Sequence, residues 1–208
     1  RIAVISSTSG GSVTAGYFAA KGANEMEYFR NEFLLHNNTL DLTPRLLPTF
    51  ITGGNRSLRF ADYLDERLFG GKQSNYKDLI DRWPSYAPFV ILNASDTSSG
   101  RTFEFTQDSF SHLCSDLAPF RISAAMAASA AFPFLMTPIS LKNLWSKNCP
   151  DRLFDTEEYL SKVKNRYINL DEFVAARYAH SLRYTYTPTE DPHTSPYKKI
   201  EFVHLIDG

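Results

Sequence analysis

The sequence predicts an α/β domain with a mainly parallel sheet. Three observations carry this. Short apolar runs of strand length recur, at Ile2-Ala-Val-Ile5, Pro88-Phe-Val-Ile-Leu-Asn93 and Ile200-Glu-Phe-Val-His-Leu-Ile206. Between them lie segments with apolar residues three and four apart, the spacing of one helix face. Clusters of Gly, Pro, Ser and Asn separate the two kinds, so strands and helices alternate, the order that builds parallel sheets.

In order, Ile2 to Ile5 reads as a short buried strand, and the small and apolar residues from Val13 to Ala20 as a helix pressed on a sheet. Asn24-Glu-Met-Glu27 has capping-box spacing and is followed by Met26, Phe29 and Phe33, which predicts a helix over 24–35. Residues 39–54, with Pro44, Pro48 and Gly53-Gly54, read as an irregular apolar segment, either the edge of the core or a greasy rim. Leu58, Ala61, Leu64 and Leu68 stand at helical spacing with Gly70-Gly71 as the stop. A short helix is expected over 75–81 and a buried strand over 88–93. Thr97-Ser-Ser-Gly-Arg101 is turn chemistry, and Thr102 to Thr106 alternates as a half-exposed strand. The alanine-rich run 120–132 predicts a thin helix, broken by Pro133. Capping boxes at Asp155 and Asn169 open helices near 156–167 and 170–182. Residues 184–199 read as a surface loop and 200–206 as the last strand.

Length and composition set bounds. A chain of 208 residues is one domain, 1–208, with room for a sizeable core. It begins at Arg1 within a reading of strand and stops at Asp207-Gly208, so the domain is expected to be cut at both ends, with any targeting segment outside it. Hydrophobic content of 43% and charge of 22% are those of an ordinary globular chain. A net charge of −1 supplies no pull toward nucleic acid. No apolar run approaches the ~20 residues of a membrane span. Cys114 and Cys149 lack the close spacing of metal ligands, which leaves two buried thiols or one disulfide; a disulfide would point to export.

The densest chemical signal is Ser6-Ser-Thr-Ser-Gly-Gly-Ser12, directly after the first strand. A serine at the apex of a strand–turn–helix is the geometry of a nucleophile elbow, where small neighbours are needed and Ser9 is followed by Gly10 and Gly11. The Gly10 amide would then point to where an oxyanion forms. The same cluster is also ordinary loop chemistry. Asp207 follows the last strand, 198 positions after Ser9, and reactive groups in α/β sheets gather at strand ends. A carboxylate near a serine can act as base and then as acid. None of His36, His112, His180, His193 and His204 sits in an informative context, which favours a Ser9–Asp207 dyad over a triad.

These residues resemble the patatin-like phospholipases, in particular bacterial members. Ser6 to Ala15 resembles that family's Gly-x-Ser-Gly-Gly-Ser elbow with Ser9 at the serine, although Ser7 stands where the family has glycine. Residues 91–107 resemble its central strand pair, and Leu113 to Leu117 with Ala127 to Pro133 its following helix region. Val203-His-Leu-Ile-Asp-Gly208 resembles the start of its Asp-Gly motif, with Asp207 at the catalytic aspartate. The resemblance implies a three-layer α/β/α sandwich and hydrolysis of phospholipid or other acyl esters by a dyad without histidine, metal or cofactor. It also implies a membrane surface as substrate interface, an exported or membrane-associated bacterial setting, and a glycine-rich oxyanion loop upstream of Arg1. Two rival expectations stand beside it: a catalytically idle lipid-binding or scaffold protein with the same fold, and a histidine-triad esterase.

Overall fold

The computed structural model describes residues 2–82, 88–146, 149, 170–186 and 197–208. Strand β1 is Val4–Thr8 and helix α1 is Gly10–Lys21, with Ser9 alone between them. β1 runs parallel to β2 (Phe89–Asp96), from Val4 opposite Phe89 to Thr8 opposite Asn93. The buried strand expected at Ile2 to Ile5 is an edge instead. Ile2 and Val4 are exposed because β2 is the one described neighbour of β1.

The helix expected over 24–35 forms with three pitches: a 3-10 turn Ala23–Glu25, α2 (Met26–Phe29) and a π turn Arg30–Leu34. Phe29 anchors it, fully buried and stacked on Tyr17 of α1 with ring centroids 5.0 Å apart.

Residues 39–54 overturn the expectation of irregular structure: α3 is Asn38–Thr52, with Pro44 and Pro48 inside it. Each proline removes one bond to the carbonyl four residues back. The Thr43 and Thr52 hydroxyls donate to the Thr39 and Pro48 carbonyls at 2.7 and 3.0 Å. Tertiary contacts supply the rest. Leu46 and Thr49 are buried, and Tyr63 of α4 (Arg56–Phe69) donates to the Asn38 side chain at 2.6 Å. α4 itself ends as its sequence predicts, at Gly70 in the left-handed conformation (φ 64°).

Then follow α5 (Tyr76–Arg82), β3 (Arg101–Glu104), α6 (Gln107–His112), α7 (Ile122–Ser129) and β4 (Ile139–Lys142). After these come α8 (Leu170–Arg183), β5 (Tyr184–Tyr186), β6 (Tyr197–Lys199) and β7 (Phe202–Ile206). The expected surface loop 184–199 is corrected at its two ends, where β5 and β6 pair as a small antiparallel sheet. The helix expected near 156–167 lies outside the described residues.

The α/β class stands, with helices packed on a sheet that has five strands among the described residues, and over those strands the sheet is mixed rather than mainly parallel. β1 with β2 is parallel; β2 with β3, β2 with β7 and β4 with β7 are antiparallel. A tight turn at 97–100 folds β3 straight back on β2, where a parallel strand would have needed a long crossover. The alanine-rich α7 is buried at every position, and Gly16 of α1 leaves room there for Met126. Close approach of two helices is what the small side chains permit. Phe103 and Phe105 pack with Phe110 of α6 and extend the core from β3. The alternative left open for the cysteines resolves as a disulfide between Cys114 and Cys149, with Cα atoms 5.8 Å apart.

Candidate active site

The register of β2 decides where Ser9 and Asp207 stand. A strand has two edges. At Asn93 one edge carries β3, through Glu104, and the other carries β1, through Thr8. At Ser95 and Asp96 one edge again carries β3, so the other carries β7, with Ile206 opposite Ser95. β1 and β7 therefore share one edge of β2. They approach each other from opposite directions and stop on either side of Ala94. Ser9 is the first residue beyond one strand and Asp207 the first beyond the other.

Small residues hold both ends there. The Asp207 and Gly208 amides donate to the Ala131 and Ser129 carbonyls at 3.1 and 3.2 Å, fastening the end of β7 to the end of α7. A Cβ on Gly208 would stand 2.5 Å from the Asn93 carbonyl oxygen, so only glycine lies this close to β2. On the β1 side, the Asn93 side-chain Nδ2 donates to Ser6 Oγ at 3.0 Å and to the Ser7 carbonyl at 2.8 Å.

A run of hydroxyls joins the two sides. Ser129 Oγ donates to the Asn93 carbonyl at 2.5 Å and lies 2.8 Å from Ser12 Oγ. A hydroxyl has one proton, so with that of Ser129 on the carbonyl, Ser12 donates in the second contact. Ser12 in turn lies 3.1 Å from Ser7 Oγ. Ser7, in place of the usual glycine, thus has a definite partner. Sequence reasoning passed over Asn93, Ser12 and Ser129 as positioning residues. The available signal was a polar residue inside an apolar run: Asn93 in β2 and Ser129 in an alanine helix.

Ser9 has φ 51° and ψ −138°, a conformation rarely adopted by a residue with a side chain. Such strain costs roughly 1–3 kcal/mol and persists only where surroundings enforce it. Ser9 precedes α1 as its N-cap, yet its hydroxyl makes no capping bond, which leaves that oxygen free of the helix. The amides of Gly10 and Gly11 open α1, where helix geometry provides no carbonyl partner and the dipole favours negative charge. A Cβ at either glycine would meet no described atom within 4 Å beyond its chain neighbours and the backbone of its own helix. At Asp207, Oδ1 is buried with no hydrogen-bond partner among the described residues.

The described histidines are occupied elsewhere. His36 pairs with Asp41 at 2.7 Å, His204 Nδ1 with Ser140 Oγ at 2.7 Å, and His180 packs on Tyr184. His112 is buried beside Tyr178, and its pKa is lowered to about 4 by burial and by the Arg183 charge. His193 lies outside the described residues. Among the described residues no group of His, Cys, Asp and Glu could hold a metal ion.

A family model described as patatin-like phospholipase matches residues 1–161. The chain belongs to the patatin-like phospholipase family. The match spans most of the chain and includes Ser9 and the hydroxyl run through Ser129; Asp207 lies beyond it. Searches of curated proteins and of solved structures return no significant match. Membership of the patatin-like family implies a lipid substrate and an acyl hydrolase or esterase activity, on an α/β scaffold of the kind described. Among the described residues no helix is long and apolar enough to cross a membrane.

Proposed function

We propose that this patatin-like chain is a serine acyl-ester hydrolase acting on phospholipid or other acyl lipid through a Ser9–Asp207 dyad. The observation that carries the reading is the meeting of β1 and β7 end to end on one edge of β2. Asp207 takes the proton of the Ser9 hydroxyl as Ser9 Oγ attacks the ester carbonyl carbon. The oxyanion of the tetrahedral intermediate accepts from the Gly10 amide, at the positive end of α1. The carbonyl re-forms as the bond to the alcohol breaks, and Asp207 returns the proton to the leaving oxygen. Water then attacks the acyl-enzyme with the same roles, releasing fatty acid and free Ser9. The buried, unpartnered Oδ1 of Asp207 supports its part as base. The strained backbone of Ser9 supports that of a nucleophile on an elbow.

Substrate comes from a lipid surface in this reading. Phe132 follows Ala131, whose carbonyl holds Asp207, and Phe132 and Phe134 are 60% and 93% exposed. Arg56 donates to the Leu135 carbonyl at 2.6 Å while its guanidinium covers Phe50 at 4.2 Å, so this apolar surface continues onto the end of α3. There Leu47, Phe50 and Ile51 are exposed, which supports α3 as one wall of the acyl approach. The disulfide supports an oxidising compartment.

Labelling with a fluorophosphonate and release of fatty acid from a short-chain ester test the reading. Both are expected in the parent chain, and both are lost in Ser9→Ala and Asp207→Asn. Full turnover in either variant refutes the dyad. Absence of labelling in a folded parent chain instead makes it an idle lipid-binding protein.

A further inference from the structure

Helix α3 is apolar on two opposite faces. Leu42, Leu46 and Thr49 face the body of the domain, and Leu46 and Thr49 are buried there. Opposite them Leu40, Pro44, Leu47 and Ile51 stand at i, i+4, i+7 and i+11, one stripe along the helix. All four are exposed, Leu40 by 70%, Leu47 by 61% and Ile51 by 89%. The charged side chains of α3, Asp41 and Arg45, lie off the stripe and are paired with His36 and Glu66, each at 2.7 Å. The outward stripe of a surface helix is ordinarily polar, so an apolar one calls for a cover.

Two observations choose the cover. First, α3 satisfies its own hydroxyls. Thr43, Thr49 and Thr52 donate to the Thr39, Leu46 and Pro48 carbonyls of the same helix at 2.7, 2.6 and 3.0 Å. Polar groups bonded within their own helix enter hydrocarbon at little cost. A protein partner is read instead through about one hydrogen bond per 100–200 Å², and the side chains of the stripe can make none. Second, Arg56 lies beside the stripe, its guanidinium over Phe50, and forms no ion pair among the described residues. A cation at the border of an apolar surface suits the phosphate of a lipid headgroup. The Arg56 bond to the Leu135 carbonyl also ties α3 to the exposed Phe132 and Phe134, and Phe132 follows the Ala131 that holds the Asp207 amide.

We propose that α3 docks this chain on a phospholipid surface. The helix lies in the plane of that surface, with Leu40, Pro44, Leu47 and Ile51 among the acyl chains and Arg56 at the level of the phosphates. Phe134 enters beside them. The choice of a lipid surface rests on the acyl-hydrolase reading, and it adds a hold on the bilayer that needs neither Ser9 nor Asp207.

Flotation with vesicles of equal parts phosphatidylcholine and phosphatidylglycerol tests it. The full chain carries Ser9→Ala, so binding is read without turnover, and it is expected to float with the vesicles. Adding Leu47→Glu with Ile51→Glu should weaken binding roughly ten-fold or more, since two aliphatic side chains no longer leave water. Both positions are exposed, so the melting temperature should hold. Ile80→Glu, at an exposed apolar position of α5, adds the same kind of charge outside the stripe and should bind as the parent does. No flotation of the parent, undiminished flotation of the double variant, or an equal loss in Ile80→Glu overturns the proposal. A parent that sediments as a dimer without vesicles, and as a monomer in the double variant, gives the stripe to a second copy and also overturns it. Fluorophosphonate labelling of the chain with Ser9 intact separates the two readings. A chain that is labelled but does not float loses the docking alone; one that floats unlabelled keeps the docking and loses the dyad.

Discussion

Ser129 donates its hydroxyl proton to the carbonyl of Asn93 at 2.5 Å, and this contact pins the end of α7 to β2 where β1 and β7 run out. Groups from both sides of the site converge on Ser129. Ser12 of α1 meets the same hydroxyl, and the Gly208 amide donates to the Ser129 carbonyl.

Ser129→Ala is therefore expected to destabilise the fold by roughly 1–3 kcal/mol, because the Asn93 carbonyl is left buried and unpaired. Ser12→Ala should cost less, since the Ser129 proton stays on that carbonyl. Urea midpoints of the two variants check the order, and ester turnover should fall further in Ser129→Ala.

Gly208→Ala sets a Cβ 2.5 Å from the Asn93 carbonyl oxygen and 3.0 Å from its carbon. Backbone cannot yield as a flexible side chain would, so the end of β7 must move away from β2. A loss of roughly 1–3 kcal/mol is expected, as for other overpacked sites. Under the proposed dyad, fluorophosphonate labelling slows with it. A variant with parental midpoint and labelling rate shows that the close approach is unimportant.

Ser7→Gly restores the family's residue and deletes the 3.1 Å contact with Ser12. The change in stability should stay within about 1 kcal/mol. Labelling of Ser9 should proceed at an undiminished rate, because Ser7 holds the start of α1 without touching the reacting atoms.

Reduction of Cys114–Cys149 frees a loop with a sequence separation of 35. Chain entropy sets the expected loss at roughly 3–4 kcal/mol. Urea unfolding with and without a reductant measures it, and equal midpoints would contradict it.

His112 should make stability depend on acid. Burial, aided by Arg183, lowers its folded pKa to about 4, against about 6.5 in an unfolded chain. Between those values the unfolded chain binds a proton that the folded one refuses. The stabilisation is therefore complete above about pH 6.5 and is lost as pH falls toward 4, by on the order of 3 kcal/mol. Denaturant midpoints at pH 4.5 and pH 7.5 in the parent and in His112→Phe test this; the variant should show the smaller difference.

Local chemistry was enough to determine much of this protein. The capping Asn55 and closing Gly70 of α4, the alternation of β3 and the alanine run of α7 each act over a turn or two, so neighbouring residues specify them. The family resemblance likewise rested on short motifs, which singled out Ser9 and Asp207 without showing what lies between them. Tertiary structure decided the rest. α3 runs through two prolines because contacts from α4 outweigh two lost backbone bonds, a balance invisible within its own residues. Sheet direction depends on which strand finds which edge of β2, and alternation of elements along a chain does not encode that choice. The hydroxyl run Ser7–Ser12–Ser129–Asn93 joins residues 86 and 117 positions apart in sequence. Only packing α1 and α7 on β2 brings hydroxyls so distant to within hydrogen-bond length.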